Sequence, residues 1–230
     1  MMISVIIPTL NESSTIARTL THTVALRFDE IIVSDGGSTD TTLQMVQACC
    51  ARVPTVRLVT APTGRARQLN EGVKACRSDI LLFLHADTEL PPHAKTVIES
   101  ALKNPQIVGG RFDVRFDRPS RWGAVISWFM NRRSRLSGIA TGDQAIFVRR
   151  QVFEQMGGFP DIPLMEDIEF SRRLKRRGPT AALPDCVTTS FRRWEQNGPL
   201  RTILLMWTLR FLYWLGVSPA RLNQWYRAVR

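Results

Sequence analysis

Residues 80–92 read ILLFLHADTELPP. An unbroken apolar run, Ile80 to Leu84, stops at His85, Ala86 and Asp87. A short continuous apolar run bounded by turn residues predicts a strand covered on both faces. Pro91 and Pro92 then bar its extension. The strand ends on a carboxylate, Asp87, which must be solvated, paired or bound to a cation.

The same pattern recurs on the N-terminal side. Ser4 to Ile7 forms a strand closed by Pro8. Ile31 to Val33 forms a second, ending in Ser34, Asp35, Gly36 and Gly37, and Val56 to Val59 a third. Apolar residues at helical spacing fill the intervals: Ile16, Leu20 and Val24; Leu43, Val46 and Cys50; Ala66, Leu69, Val73 and Cys76. Asn11, Ser13 and Ser14 offer caps to the first helix, and Ser38 to Asp40 to the second. Strand–helix alternation with continuous apolar strands predicts an α/β fold with a mostly parallel sheet flanked by helices. In such sheets ligands bind at the carboxyl ends of the strands. Here those ends carry Thr9 and Asn11, then Asp35, then Asp87.

The pattern changes after residue 90. Ala94, Val97, Ile98, Ala101 and Leu102 predict a helix. Phe112, Val114 and Phe116 alternate with Asp113, Arg115 and Asp117, a half-exposed strand, antiparallel or at an edge. Gln144 to Val148 reads as a short strand, with a helical turn through Val152, Phe153 and Met156. Glu166 to Arg177 reads as a helix stopped by Gly178 and Pro179. The tail after Phe191 is basic, aromatic and helical in pattern. No repeat or linker divides the chain. One domain over residues 1–230 is expected, with a nucleotide-binding half (1–90), a mixed or antiparallel acceptor half (91–190) and a helical tail (191–230).

A chain of 230 residues with 44% hydrophobic residues can build a core, which excludes disorder. Its net charge of +11 favours anionic partners: nucleotides, phosphorylated substrates, nucleic acid or a membrane surface. Cys49, Cys50, Cys76 and Cys186 form no CxxC pair, which fits reduced thiols in the cytoplasm. MMISVIIPTL has no basic leader segment and reads as a first strand, not a signal peptide. Ile203 to Val217, interrupted by Thr208 and Arg210, is shorter than the ~20 apolar residues of a spanning helix. With Trp122 to Met130, it permits an interfacial membrane contact or a homodimer surface.

Several short motifs each admit two readings. Asp35 in VSDGGSTD is a ligand-facing acceptor or part of a capped turn. Asp87 is a site for a hard divalent cation beside phosphates, or a helix cap. Glu166 and Asp167 in MEDIEF are a general base beside a second carboxylate, or acids on a helix dipole. Arg65 and Arg67 put cations at a helix N-terminus, where a bound anion would explain them. Arg132, Arg133, Arg135, Arg192 and Arg193 could serve likewise, or form a solvated basic face.

In order, IIPTLNES, VSDGGSTD, GRARQLNEG, LFLHADTELP, GDQAIFVRR, PLMEDIEFSRRLKRRG and RRW resemble family 2 glycosyltransferases of the GT-A fold over roughly residues 1–195. The bacterial radical SAM/selenodomain-associated transferase 2 subgroup is the nearest likeness. The resemblance implies a GT-A fold and a nucleotide-diphosphate sugar donor such as a UDP-sugar. It also implies a divalent cation, Mn²⁺ or Mg²⁺, and inversion at the anomeric carbon. By position, Pro8, Thr9, Asn11 and Glu12 would line the nucleotide site. Asp35 and Gly36 would meet the base, and Arg65 would lie near the nucleotide. Asp87 matches the final aspartate of the DxD motif, with His85 in place of the first aspartate as a second metal ligand. Asp167 matches the general base of the ED motif, with Glu166 beside it. Arg193 and Trp194 resemble the end of the QxxRW motif, next to Arg192; Ser190 stands where the glutamine would be. The missing glutamine and the missing channel helices imply a single transfer instead of polymerisation. The acceptor is a hydroxyl, with a lipid-linked one permitted, and nucleic acid is not an expected partner. The expected location is the cytoplasm or the inner face of the cytoplasmic membrane. A nucleotidyltransferase, or an inactive nucleotide- or nucleic-acid-binding protein, is the rival reading.

Overall fold

The computed structural model describes residues 1–229, apart from the side chains of residues 193, 197 and 227–229. Strands β1 (Ile3–Thr9), β2 (Glu30–Asp35), β3 (Val56–Thr60) and β4 (Ile80–Phe83) form a parallel half-sheet. Helices α1 (Ile16–Ala25), α2 (Thr42–Cys50) and α3 (Arg65–Ala75) connect them. Along β1, Ile3, Val5 and Ile7 pack with Ile16 and Leu20 of α1 and Val46 of α2. Ile6 points the other way, into Ala66, Leu69 and Val73 of α3. Both faces are covered, so every second residue is not free to be polar. Each fully buried aliphatic side chain contributes on the order of 1.5–3 kcal/mol.

The second half comprises β5 (Thr88–Glu89), α4 (Ala94–Leu102), β6 (Gly109–Phe116), α5 (Arg121–Ser137), β7 (Phe147–Arg149), α6 (Arg150–Gln155), α7 (Glu166–Leu174) and β8 (Thr180–Thr189). The tail is α8 (Arg192–Asn197), α9 (Pro199–Trp214) and α10 (Pro219–Val229). One sheet runs through both halves in the order β3-β2-β1-β4-β7-β6-β8-β5. β7 pairs antiparallel with β4 and with β6, and β5 antiparallel with β8. Phe83 of β4 meets Phe153, Phe159 and Phe170 in an aromatic cluster that seats α6 and α7 on the sheet. Leu209 of α9 and Leu222 of α10 pack on Met165, at the start of α7.

Several features depart from the sequence expectations. β6 is internal: it runs antiparallel to β7 and parallel to β8. Arg111 and, from α5, Arg135 pair with its Asp113 at 3.2 and 2.6 Å, while Arg115 is exposed, as a half-exposed strand requires. β8 was not anticipated, because Pro184 and Asp185 interrupt its pattern. The register jumps there, from Phe112↔Leu183 to Asp113↔Cys186, so a bulge absorbs both residues. Residues 142–144 form a 3₁₀ turn, which delays the expected strand to Phe147, and α7 ends at Leu174 instead of Arg177. Finally, Thr15, not Asn11, Ser13 or Ser14, holds the cap position of α1, without a side-chain hydrogen bond.

Candidate active site

The carboxyl end of β1, the turn after β4 and the start of α3 line a cleft of about 1520 Å³, together with residues of α5, the start of α7 and the tail helices. Pro8 and Thr9 line it at the end of β1. Thr9 sits opposite Asp35 in register and donates its hydroxyl to Asp35 Oδ1 at 3.0 Å. Ser38 Oγ donates to the same oxygen at 2.6 Å, and the backbone N–H groups of Gly37 and Ser38 donate to Oδ2 at 2.9 and 2.8 Å. Asp35 is 2% exposed. Four donors fill the lone-pair sites of an ionised carboxylate. Asp35 therefore braces the turn after β2 instead of offering an acceptor to a base.

Gly36 is held by a close approach. A Cβ there would lie 2.8 Å from Gln68 Cδ. Gln68, buried on α3, donates Nε2 to the Thr9 carbonyl at 2.6 Å and to the Ser34 carbonyl at 3.2 Å. Asn11 adopts φ 56°, a left-handed conformation that asparagine tolerates. Its Oδ1 accepts the Thr39 N–H at 2.8 Å, tying the turn after β1 to the turn after β2. Asn11 and Asp35 thus build the cleft's floor from behind.

At one end of the cleft Glu12, Asp87 and Arg192 come together. Arg192 Nη2 lies 4.0 Å from Glu12 Oε2, and its Nη1 donates to Ser14 Oγ at 2.8 Å. Burial, and then the neighbouring Asp87 charge, push the Glu12 carboxyl above its ordinary range. Trp194 lines the same end and packs against Phe116, with ring centroids 6.0 Å apart. The Arg193 side chain lies outside the described residues.

In the middle of the cleft a charged network links α3, β4, the 3₁₀ turn and α7. Arg65 opens α3 and meets Glu166 Oε1 at 3.2 Å. Burial raises the Glu166 carboxyl; Arg65 opposes the shift and Asp167 adds to it. Burial is the largest influence on His85 and pulls its imidazolium down, but the hydrogen bond to Asp143 and the charges of Asp143 and Asp87 together leave the net shift upward. His85 Nδ1 is 3.1 Å from Asp143 Oδ1. His85 Nε2 abuts the backbone of Gly142, where an added Cβ would lie 2.2 Å away. The imidazole is thus committed to the 3₁₀ turn on both sides, which does not suit the expected metal-ligand role. Asp167 accepts the Gly142 N–H at Oδ2, 2.8 Å, and the Ile168 N–H at Oδ1, 2.7 Å. Backbone donors fix this carboxylate in the cleft wall.

Among the described residues no three His, Cys, Asp or Glu side chains form a cage for a metal. The chemistry at Glu12 and Asp87 nevertheless suits a hard cation. Two carboxylates repel in a partly buried place, and a divalent ion bound by one or two carboxylates takes its other ligands from phosphates and water. Gly142, Asp143, Gln68 and Arg210 were not singled out from the sequence. The first two stand in GDQAIFVRR, read for its strand and for the family resemblance but with no role given to either residue. Gln68 looked like one polar residue on a helix, and Arg210 like an interruption in an apolar run.

The glycosyl transferase family 2 profile matches residues 4–157. The undecaprenyl-phosphate 4-deoxy-4-formamido-L-arabinose transferase of Pseudomonas paraeruginosa (strain DSM 24068 / PA7) is 29% identical over 67% of this chain and 49% of its own length. The poly-beta-1,6-N-acetyl-D-glucosamine synthase of Staphylococcus aureus (strain COL) is 26% identical over 73% of this chain and 44% of its own. The chain spans about half the length of these relatives. Among solved structures, mannosyltransferase PcManGT of Pyrobaculum calidifontis, in complex with GDP-Man and Mn²⁺, superposes with TM-score 0.65 at 22% identity, covering 82% of this chain and 56% of that one. S. aureus TarS 1-349, in complex with UDP-GlcNAc, gives TM-score 0.63 at 17% identity, covering 83% and 56%. These likenesses identify the fold as GT-A.

Proposed function

Because the chain belongs to glycosyl transferase family 2, we propose that it moves one sugar from a nucleotide diphosphate to an acceptor hydroxyl, with inversion. The observation that carries this reading is that Asp87 and Asp167 line one and the same cleft. The donor nucleotide lies over Pro8 and Thr9, on the floor that Asn11, Asp35 and Gly36 support. Its diphosphate faces Glu12, Asp87 and Arg192, with Arg193 and Trp194 at that end. Asp87, with Glu12 near it, would hold Mn²⁺ or Mg²⁺, which would offset phosphate charge.

The acceptor oxygen attacks the anomeric carbon opposite the leaving group. Its proton passes to Asp167, the carbon–oxygen bond to the diphosphate breaks, and the nucleoside diphosphate leaves with the bonding pair. Arg192 stabilises that growing charge. Glu166 and Arg65 hold the start of α7 in register with the donor side.

A lipid-linked acceptor and work at the inner membrane face fit the same cleft. The Pseudomonas relative is named for undecaprenyl phosphate. Here Trp122, Trp128, Phe129 and Trp207 are exposed and line the cleft's outer wall. Among the described residues no helix is long and apolar enough to cross a membrane. The test is transfer of radiolabel from UDP- and GDP-sugars, with Mn²⁺, into extracted bacterial lipids. Label should enter the lipid with the wild type and not with Asp167→Asn. Release of pyrophosphate in place of nucleoside diphosphate would favour a nucleotidyltransferase instead.

A further inference from the structure

Helix α7 starts against its own local preferences. The residue before its first turn is Met165, whose backbone is left-handed at φ 69° and ψ 18°. That conformation crowds the Cβ and is uncommon for a bulky residue. Methionine also brings no oxygen to cap a helix, and no side-chain cap forms there. Such a backbone persists only where the surrounding structure holds it. What surrounds Met165 is the tail. Its side chain is buried with Leu209 of α9 and Leu222 of α10, both buried themselves. Beside this contact Tyr213 of α9 donates its hydroxyl to Glu169 Oε2 at 3.3 Å, and Arg210 lies within electrostatic reach of Asp167.

The two residues after Met165 are Glu166 and Asp167. Where their side chains point depends on where the first turn of α7 begins. Met165 sets that beginning, since its carbonyl accepts the Glu169 N–H at 3.0 Å. Asp167 in turn reaches the 3₁₀ turn and accepts the Gly142 N–H at 2.8 Å. We propose that Met165 is a positioning residue: α9 and α10 clamp its side chain, hold its backbone left-handed, and so keep the Asp167 carboxylate aimed at the Gly142 N–H in the cleft wall. Without the clamp the Met165 backbone relaxes to a commoner conformation, the first turn of α7 shifts with it, and the carboxylate parts from Gly142. That Asp167 is the base rests on the glycosyl-transfer reading above; the clamp itself does not.

The test is amide hydrogen exchange of the full chain, followed by NMR without substrate and read at two positions. The Gly142 amide is bonded to Asp167, and the Ile31 amide to the Thr55 carbonyl in the parallel half-sheet. A bonded amide exchanges only when its bond opens, so the pair separates local from global loosening. Wild type and Leu209→Ala are compared, and Leu209→Ala is combined with Met165→Gly or with Met165→Ala, each variant checked by thermal melting. Leu209→Ala should speed exchange at Gly142 at least about tenfold relative to Ile31. Glycine takes a left-handed backbone without strain, so adding Met165→Gly should bring the Gly142 rate back toward wild type, whereas Met165→Ala, which keeps the Cβ, should not. A contact that merely stabilises the fold would leave both double variants at least as loose as Leu209→Ala. In label transfer, Leu209→Ala should lower kcat at least about tenfold with the donor KM unchanged, and Met165→Gly should recover part of the loss. Gly142 exchange unchanged in Leu209→Ala, rising only as much as at Ile31, not restored by Met165→Gly, or restored equally by Met165→Ala would overturn the proposal. Should Leu209→Ala fail to fold, Leu209→Val is read in the same way. Absence of transfer by wild type would defeat the transfer reading alone, since the exchange is read without substrate.

Discussion

Asp35 ends β2 and Asp87 lies in the turn between β4 and β5, and their surroundings give them different work. Asp35 receives four donors and is closed off. Asp87 faces the cleft beside Glu12 and Arg192. The sequence made both legible as carboxylates after an apolar run, but not this difference, which arises from the turn after β2 folding back on Asp35. Gly36 shows the cost of that turn: Gly36→Ala drives a methyl into the Gln68 amide and breaks its buried bonds to Thr9 and Ser34. Urea denaturation should show a loss of about 1–3 kcal/mol; a change under about 0.5 kcal/mol would contradict the packing. Asp167→Asn removes the base and one acceptor of the Gly142 and Ile168 N–H groups, so in a variant shown by melting to be folded kcat should fall about 10²–10⁴-fold with donor affinity intact. Glu166 gives a pH signature. Its folded carboxyl lies above the ordinary 4.5, so the folded state holds the proton longer than the unfolded chain. Its contribution to stability is greatest at acid pH and falls as pH rises from 4.5 through the folded value. Melting across that window should show Glu166→Gln with a flatter pH dependence than wild type; parallel curves would contradict the shift.

The first four strands were legible because both their faces are covered, which forces continuous apolar runs such as Ile31 to Val33. β8 was not, because a bulge at Pro184 and Asp185 hides its period. β6 carried the right period and is antiparallel to β7 with Arg115 exposed, but it lies inside the sheet, where Arg111 and Asp113 pair with each other. The 17-residue α5 was read only as an apolar stretch, because aromatic residues on a cleft wall blur the boundary between core and surface. The element that matters most for chemistry is α7, whose first turn carries Glu166 and Asp167. Phe170 anchors it, fully buried and stacked on Phe159 at 4.1 Å. Phe170→Ala should lower stability by about 3–5 kcal/mol in guanidinium denaturation. A loss under about 1 kcal/mol would show that α7 is held by other contacts.

At the scale of the whole molecule, a parallel half-sheet supplies the cleft's floor, and a mixed half-sheet with tail helices supplies its far wall. The charge of +11 comes from the mixed half and the tail: residues 1–90 hold 8 Lys and Arg against 9 Asp and Glu, and residues 91–230 hold 23 against 11. Together with the exposed tryptophans of α5 and α9, it fits a surface that meets anionic lipid. Flotation with phosphatidylglycerol vesicles should recover the protein at low salt and lose it progressively as salt rises; recovery indifferent to salt and lipid charge would contradict that role. The central claim is that the Asp87 end of the cleft holds a nucleotide diphosphate through a divalent cation. Calorimetric titration with UDP, GDP and their sugar conjugates, with and without Mn²⁺, tests it most directly on wild type and Asp87→Ala. The expected result is nucleotide binding that needs the metal and weakens at least about tenfold in the variant, a loss of about 1.4 kcal/mol or more. No nucleotide binding in either condition, or equal binding by the folded variant, would contradict it.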